Sequence, residues 1–191
     1  LGDLIVTQLT LSNGTSKFDL LLDVQERHND IAASFEYNAD RFDEATCREA
    51  AWDEFAHLIS QLLHGEQAAM QLCGQLTNAC PTMDAKFYAA TQVMDEARHV
   101  EAFSRLLHSK YELVYPINPH LKHLLDDTLG DARWDFTYLG MQVLIEGVAL
   151  AAFGVIRDHA TNPLAQSVTA YVMQDEARHV AFGRLALRDY Y

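Results

Sequence analysis

Two identical hexapeptides carry the residues of this sequence best suited to binding metal. Asp-Glu-Ala-Arg-His-Val occurs at 95–100 and again at 175–180. In each copy a glutamate and a histidine are three positions apart, so on a helix both side chains lie on one face and point at the same place. A further glutamate stands thirty residues before the glutamate of each copy. The candidate metal ligands are therefore Glu66, Glu96, His99, Glu146, Glu176 and His179.

Four carboxylates and two imidazoles are a donor set for a pair of iron or manganese ions. Structural zinc prefers four ligands rich in sulfur and nitrogen, whereas calcium and magnesium do not call for histidine. Burying an ionised carboxylate without a partner is costly, and bound cations remove that cost. The pattern therefore predicts two iron ions, or one manganese and one iron, with these six residues as both the metal ligands and the catalytic groups.

The alternative is an internal duplication whose Glu and His pairs are exposed decoration of a helix. A single Glu-x-x-His would favour that interpretation, because the pattern is short. Here each of the six residues has a counterpart eighty positions away in the chain. Two hexapeptides with two matching upstream glutamates favour the metal site.

The charged neighbours of the ligands also have a predicted role. A metal-bound imidazole usually donates its other N–H to a carboxylate, which sets the orientation of the ring. Asp95 and Asp175 precede the glutamates of the two hexapeptides, and each is expected to reach the histidine of the opposite copy. Arg98 and Arg178 would then either neutralise these aspartates or form ordinary surface ion pairs.

Apolar residues at helical spacing predict five helices between the prolines. The four long helices are expected at about 44–79, 83–113, 131–158 and from Pro163 to about Tyr190. The short helix is expected near 121–129. The first 42 residues have a weaker pattern. There we expect a short strand at Leu4–Leu11, a turn at Asn13-Gly14 and another helix at Phe18–Phe35.

The two halves of the sequence match at more than the ligands. When residues 60–104 are laid over 140–184, small residues also coincide, including Gly74 with Gly154. Small residues at equivalent positions are expected where helices approach closely. We therefore expect two helical hairpins related by an approximate twofold axis, which pair to form an all-α four-helix bundle.

The composition predicts one soluble domain with a sizeable core. Of the 191 residues, 49% are apolar, which is enough for a compact globular fold. Residues 43–191 would form the bundle, with 1–42 as an N-terminal extension that packs on it. A formal charge of -13 disfavours nucleic acid as a partner, since phosphate contacts need a basic surface. We expect no membrane segment, because no apolar run approaches roughly 20 residues.

The cysteines indicate a reducing compartment. Cys47, Cys73 and Cys80 lack CxxC spacing, which argues against a disulfide framework and against a zinc or rubredoxin-type site. A cytoplasmic location fits best. Cys73 follows Glu66 by seven positions on the same helical face, where it either approaches the metal site or fills the core. Because the sequence begins at Leu1 rather than at methionine, we expect it to be part of a longer polypeptide.

Residues 50–190 resemble the ferritin-like di-iron carboxylate proteins. The Asp-Glu-Ala-Arg-His form is similar to their oxygen-activating branch, which includes the hydroxylase subunits of bacterial multicomponent monooxygenases, the arylamine N-oxygenases and the small subunit of ribonucleotide reductase. The resemblance implies that the six candidate residues bind the metals, with one glutamate of each half able to bridge. It also implies that Asp95 and Asp175 correspond to the aspartates beside the ligands of the monooxygenases.

Some positions depart from particular members of that family. Phe103 stands four positions after the first motif histidine, where the reductase small subunit has a radical tyrosine, so a stable tyrosyl radical there is excluded. Leu150 stands four positions after the third glutamate, where methane- and toluene-type hydroxylases have a threonine. The scattered cysteines cannot supply the rubredoxin-type set of rubrerythrin-like proteins.

The function that the resemblance implies is a non-haem di-iron oxidase or oxygenase. With O2 as co-substrate, it would oxidise or hydroxylate a small apolar or aromatic molecule. Five residues near the ligands either line a substrate pocket or fill the core: Ala69, Met70, Phe103, Leu150 and Phe153. The sequence has no flavin, nicotinamide or iron–sulfur signature, so an external reductase or ferredoxin is expected to supply electrons. We also allow for a homodimer.

Two other functions use the same residues. Ferritins and bacterioferritins share much of the ligand set, so a ferroxidase that stores iron in a large hollow oligomer remains an alternative. A purely structural bundle could also keep the motif without binding a transition metal. The mass of the assembly, its iron content and elemental analysis distinguish these cases.

Overall fold

The computed structural model describes residues 20–27, 30–37, 44–160, 162–188 and 190, with side chains from residue 52 onward. The chain divides into two compact units, Leu1–Trp52 and Asp53–Tyr191.

The first unit contains a β-hairpin where the sequence predicted a helix. Strands β1 (Leu20–Arg27) and β2 (Asp30–Tyr37) pair antiparallel, from Leu20 opposite Tyr37 to Arg27 opposite Asp30. The predicted helix at Phe18–Phe35 is therefore wrong. From Asp30 to Tyr37 polar or small residues alternate with Ile, Ala, Phe and Tyr, and a period of two is the pattern of a strand rather than a helix. The predicted strand at Leu4–Leu11 and the Asn13-Gly14 turn lie outside the described residues.

Helices are the only regular secondary structure among the described residues of the second unit, and their positions largely confirm the prediction. Its helices are α1 (Glu44–Ala79), α2 (Met83–Leu106), α3 (Pro119–Gly130), α4 (Trp134–Tyr138), α5 (Glu146–His159) and α6 (Pro163–Leu187). The first residues of α1, up to Trp52, belong to the first unit. Two π-helical segments were not predicted: Leu107–Tyr111 extends α2, and Leu139–Ile145 joins α4 to α5. The expected single helix at 131–158 is therefore helix, π-helix and helix in succession.

The helices begin where capping residues and prolines place them. Asn118 accepts hydrogen bonds from the backbone of the first turn of α3, and Pro119 is the first residue of that helix. In the same way, Asn162 caps the start of α6 through its side chain, and Pro163 is the first residue of that helix. Thr82 caps α2 through its side chain. A polar side chain satisfies the free N–H groups of a first turn, and proline is tolerated there because it lacks an N–H.

One helical stretch, Trp134–His159, is long and apolar enough by length and composition to cross a membrane. Core helices of soluble proteins meet the same test. Glu146 lies in the middle of this stretch and is 3% exposed within the helical unit. Its carboxylate faces other helices of the unit, as the metal centre below shows.

The close approach predicted at the repeated glycine Gly74 is wrong. Ala85 and Ala165, which the offset of eighty positions also pairs, are buried. A Cβ atom added to Gly74 would meet nothing within 4 Å, so that glycine is not required by packing. The glycine that close packing requires is Gly183 on α6, where an added Cβ would lie 2.6 Å from Cβ of Gln142.

Candidate metal centre

The structure brings all six candidate ligands together from four helices. Their positions are Glu66 on α1, Glu96 and His99 on α2, Glu146 at the start of α5, and Glu176 and His179 on α6. Each is at most 6% exposed. The interpretation that they are exposed decoration is therefore wrong.

The donor atoms form two overlapping groups that could each hold a metal ion. We call the group of Glu66, Glu96, His99 and Glu176 the His99 position. We call the group of Glu96, Glu146, Glu176 and His179 the His179 position. Within each group the ligand atoms lie within 4.8 Å of one another. Glu96 and Glu176 belong to both groups, so they are placed to bridge two ions.

Both imidazoles turn Nδ1 toward the centre. Nδ1 of His99 lies 3.2 Å from Oε2 of Glu66 and 3.1 Å from Oε1 of Glu176. Nδ1 of His179 lies 3.1 Å from Oε1 of Glu96 and 3.3 Å from Oε2 of Glu176. The nitrogen that a metal would use therefore already faces the carboxylates.

The other imidazole nitrogen of each histidine faces the aspartate expected from the sequence. Nε2 of His99 lies 3.2 Å from Oδ2 of Asp175, and Nε2 of His179 lies 3.3 Å from Oδ2 of Asp95. Each contact joins α2 to α6. An aspartate in this place holds the ring so that Nδ1 keeps its lone pair for a metal.

The two arginines contact both aspartates at the protein surface. Arg98 pairs with Asp95 and lies 3.4 Å from Asp175, while Arg178 pairs with Asp175 and lies 3.7 Å from Asp95. Their side chains are 58% and 56% exposed, compared with 14% and 15% for the aspartates. Burial raises the pKa of Asp175, but hydrogen bonds with His99 and Arg178 outweigh it and lower the pKa. The net direction for Asp175 is downward.

The carboxylates repel one another strongly without added positive charge. Burial raises the pKa of Glu66 and of Glu146 well above the usual value, and the neighbouring carboxylates Glu176 and Glu96 raise it further. Burial lowers the pKa of His179, but hydrogen bonds with Glu176 and Glu96 outweigh it and raise the pKa to about 11. Protonated imidazoles thus offset part of the negative charge, which is the role that bound cations would take over.

Two buried carboxylate oxygens without a hydrogen bond indicate that the group could hold metal ions. Among the described residues, Oε2 of Glu146 and Oε1 of Glu176 are buried and accept no hydrogen bond, although Nδ1 of His99 lies 3.1 Å from the second of these. Buried carboxylate oxygens normally have partners. A cation between the helices would satisfy both.

Two glutamines that sequence reasoning did not single out as site residues contact the ligands. Nε2 of Gln92 donates to Oε1 of Glu146 at 2.8 Å and to Oε1 of Glu96 at 3.0 Å. Gln142 donates to Oε1 of Gln92 and, at 3.6 Å, to Sγ of Cys73. Each glutamine precedes a ligand glutamate by four positions. That spacing within an apolar stripe could have identified them.

An apolar cavity opens beside the metal centre. It has a volume of about 410 Å³, and three candidate ligands, Glu66, Glu146 and Glu176, contribute to its wall. The rest of its lining is mainly apolar: Leu62, Ala69, Leu121, Leu124, Met141, Leu144, Ile145, Val148, Ala149 and Ala152. A small hydrophobic molecule in this cavity would lie against the carboxylates.

Of the five residues proposed for a pocket, Ala69 is among those lining this cavity. Phe103 and Phe153 instead belong to a buried apolar cluster, where their rings stack with centroids 5.7 Å apart. Met70 and Leu150 do not line the cavity either. The other interpretation of these four residues, that they pack within the helical unit, is the one their positions favour.

A search against models of known protein families finds none that matches this chain.

Proposed function

We propose that the second unit is a ferritin-like four-helix bundle, in which two hairpins, α1 with α2 and α5 with α6, hold a dinuclear iron centre. The internal repeat supports this arrangement, since it relates Glu66 to Glu146 and one hexapeptide to the other. Four acidic residues and two histidines from four helices are the donor set of such bundles. Iron is the first choice on ligand type, and a manganese and iron pair uses the same donors.

The proposed activity is that of a di-iron oxidase or oxygenase acting on a small apolar or aromatic substrate. Two iron ions would supply the binding and reduction of O2. The observation that carries this proposal is the overlap of two four-donor groups at the wall of an apolar cavity. A cavity of about 410 Å³ is the size of a small-molecule site.

The residues around the centre have distinct parts in this activity. Asp95 and Asp175 would hold the imidazoles in orientation, and the arginines beside them form ion pairs with the aspartates. Apolar side chains such as Met141 and Ile145 would exclude water and bind the substrate against the carboxylate wall. Gln61 is the uncharged polar side chain in the lining, so specificity would depend mainly on shape and hydrophobic contact.

Electrons for repeated turnover would come from a separate protein. Inserting one atom of O2 into a substrate leaves the other atom to be reduced to water, which requires an external electron donor. The sequence carries no cofactor motif that could supply these electrons. A reductase or ferredoxin is therefore the proposed partner, and the cytoplasm is the proposed location.

The proposal is tested by anaerobic loading with Fe(II), elemental analysis, and exposure to O2 in the presence of small apolar and aromatic compounds. We expect about two iron ions per chain, as the two donor groups predict, and an oxidised product that carries label from ¹⁸O2 or forms with O2 consumption. Fewer than one iron per chain at saturating Fe(II) would contradict the metal centre. Iron oxidation that builds thousands of ions into a hollow particle, with no organic product, would favour the ferroxidase instead.

A further inference from the structure

The two copies of the internal repeat have the same ligand residues but different residues next to them in the fold. An offset of eighty positions relates Gln92 to Val172 and Gln142 to Leu62. One half of the centre therefore has amide side chains beside it, and the equivalent positions of the other half have hydrocarbon side chains. A duplicated sequence that keeps its ligands and changes their neighbours makes the two metal positions chemically different.

The amides contact the carboxylate oxygens of one position. Oε1 of Glu146, which accepts from Gln92, belongs to a residue of the His179 position alone. Oε1 of Glu96, the second acceptor, is the oxygen that lies 3.1 Å from His179, whereas Oε2 of Glu96 lies 3.3 Å from His99. Both hydrogen bonds from Gln92 therefore act on the His179 side.

The Gln92 amide is itself held in place. Gln142 donates to its oxygen, which leaves both N–H groups of Gln92 for the two carboxylates. Gln92 and Gln142 are each 1% exposed, so water does not compete for these bonds. Gly183 makes the arrangement possible, because a Cβ atom there would lie 2.6 Å from Cβ of Gln142. The position equivalent to Gly183 is Phe103.

The equivalent residues on the other side are all apolar. Val172, Phe103 and Phe153 lie in one buried hydrophobic cluster, and Leu62 packs against it. Phe153 is the counterpart of Cys73. Hydrocarbon side chains offer no hydrogen bond to Glu66, which is the counterpart of Glu146.

We infer that Gln92, oriented by Gln142, is a positioning residue for the His179 position and makes it bind a divalent ion more tightly than the His99 position does. Gln92 fixes Oε1 of Glu146 and leaves Oε2, which accepts no hydrogen bond, available to a metal ion. Carboxylate ligands that are already oriented lose less freedom on metal binding. The inference rests on the proposed function only in that two ions bind.

The test is Mn(II) binding to the intact chain, measured by equilibrium dialysis with EPR of the free ion. Wild-type protein should show two distinct dissociation constants. Gln92→Leu should weaken the tighter ion by about 10- to 100-fold and leave the other constant unchanged. Val172→Leu places the same residue at the equivalent position, and it should leave both constants unchanged.

A second pair of variants covers the case in which Gln92→Leu does not fold. Gln142→Met and Leu62→Met place methionine at equivalent positions, and only Gln142→Met should weaken the tighter ion. Equal constants in wild-type protein, or equal effects within either pair, would overturn the inference while leaving the dinuclear centre intact. If wild-type protein binds neither Mn(II) nor Fe(II), the proposed function itself fails.

Discussion

Nε2 of His99 on α2 lies 3.2 Å from Oδ2 of Asp175 on α6, and the repeat places a matching contact between His179 and Asp95. Each aspartate precedes a ligand glutamate in its own helix but serves the histidine of the other helix. Docking of α2 against α6 and orientation of the two imidazoles are therefore coupled. The same four residues would tune the metals and fix the packing of these helices.

Removing either aspartate carboxylate should lower activity more than metal content. In Asp95→Asn or Asp175→Asn an amide replaces the carboxylate, so the imidazole loses its charged acceptor and is held less firmly. We expect activity to fall by about 10- to 100-fold while much of the iron remains. Product formation per bound iron is the quantity to measure, and a wild-type value in both variants would refute the orienting role.

Replacing a candidate ligand histidine should remove metal. In His99→Ala and His179→Ala one donor group loses its nitrogen ligand, so most of the bound iron and nearly all reactivity with O2 should disappear. Elemental analysis of purified protein measures this directly. His123→Ala is the matched control, since His123 has an 80% exposed side chain and contacts Asp127 rather than the centre. Full two-metal occupancy in both ligand variants would count decisively against the assignment.

Filling the cavity should affect substrate rather than metal. Ala152 lines the cavity, and Ala152→Phe adds a large side chain where the substrate is proposed to bind. We expect a higher KM or loss of turnover for larger substrates, with iron content unchanged. Ala151→Phe adds the same bulk at an adjacent exposed residue that does not line the cavity. If the two variants behave alike toward every substrate, the cavity is not the binding site.

A methyl group at Gly183 should destabilise the protein. The added Cβ would lie 2.6 Å from Cβ of Gln142, so α6 and the π-helical segment Leu139–Ile145 would have to separate. Overpacking of this kind costs about 1–3 kcal/mol. Gly74→Ala is the control, because nothing lies within 4 Å of its added Cβ and alanine is the better helix former. Thermal unfolding should show a lower Tm for Gly183→Ala alone.

Local spacing was sufficient to find the helices and to nominate the ligands. Glu96 and His99 are three positions apart, so their shared face follows from helix geometry alone. Pro163 predicted the start of α6 in the same way, since capping depends on neighbouring residues, whereas α3 begins at Pro119, before the predicted start near 121. These features involve interactions within a turn or two of the chain.

The features that were predicted wrongly, missed or left open have causes in local pattern or in contacts between distant residues. The β-hairpin was missed because a period of two in Asp30–Tyr37 was interpreted as helical. Helical periodicity alone did not indicate the π-helical segment Leu139–Ile145, which contains Gln142, the residue that closely approaches Gly183 on another helix. Phe103 and Phe153 were candidates for a pocket because they are close to ligands along the chain, yet they stack on each other in the core.

Residue types and their spacing in the chain were enough to establish which side chains could bind metal, because helical periodicity is a property of the local backbone. They could not establish which of those residues are shared, which amides reach them, or where the cavity lies. Those features depend on contacts between helices that are distant in sequence: Gln92 meets Glu146 across fifty-four positions, and His179 meets Asp95 across eighty-four. The sequence itself places Gln92 opposite Val172 in the repeat, but only packing in three dimensions shows that the Gln92 amide reaches the carboxylates of Glu96 and Glu146.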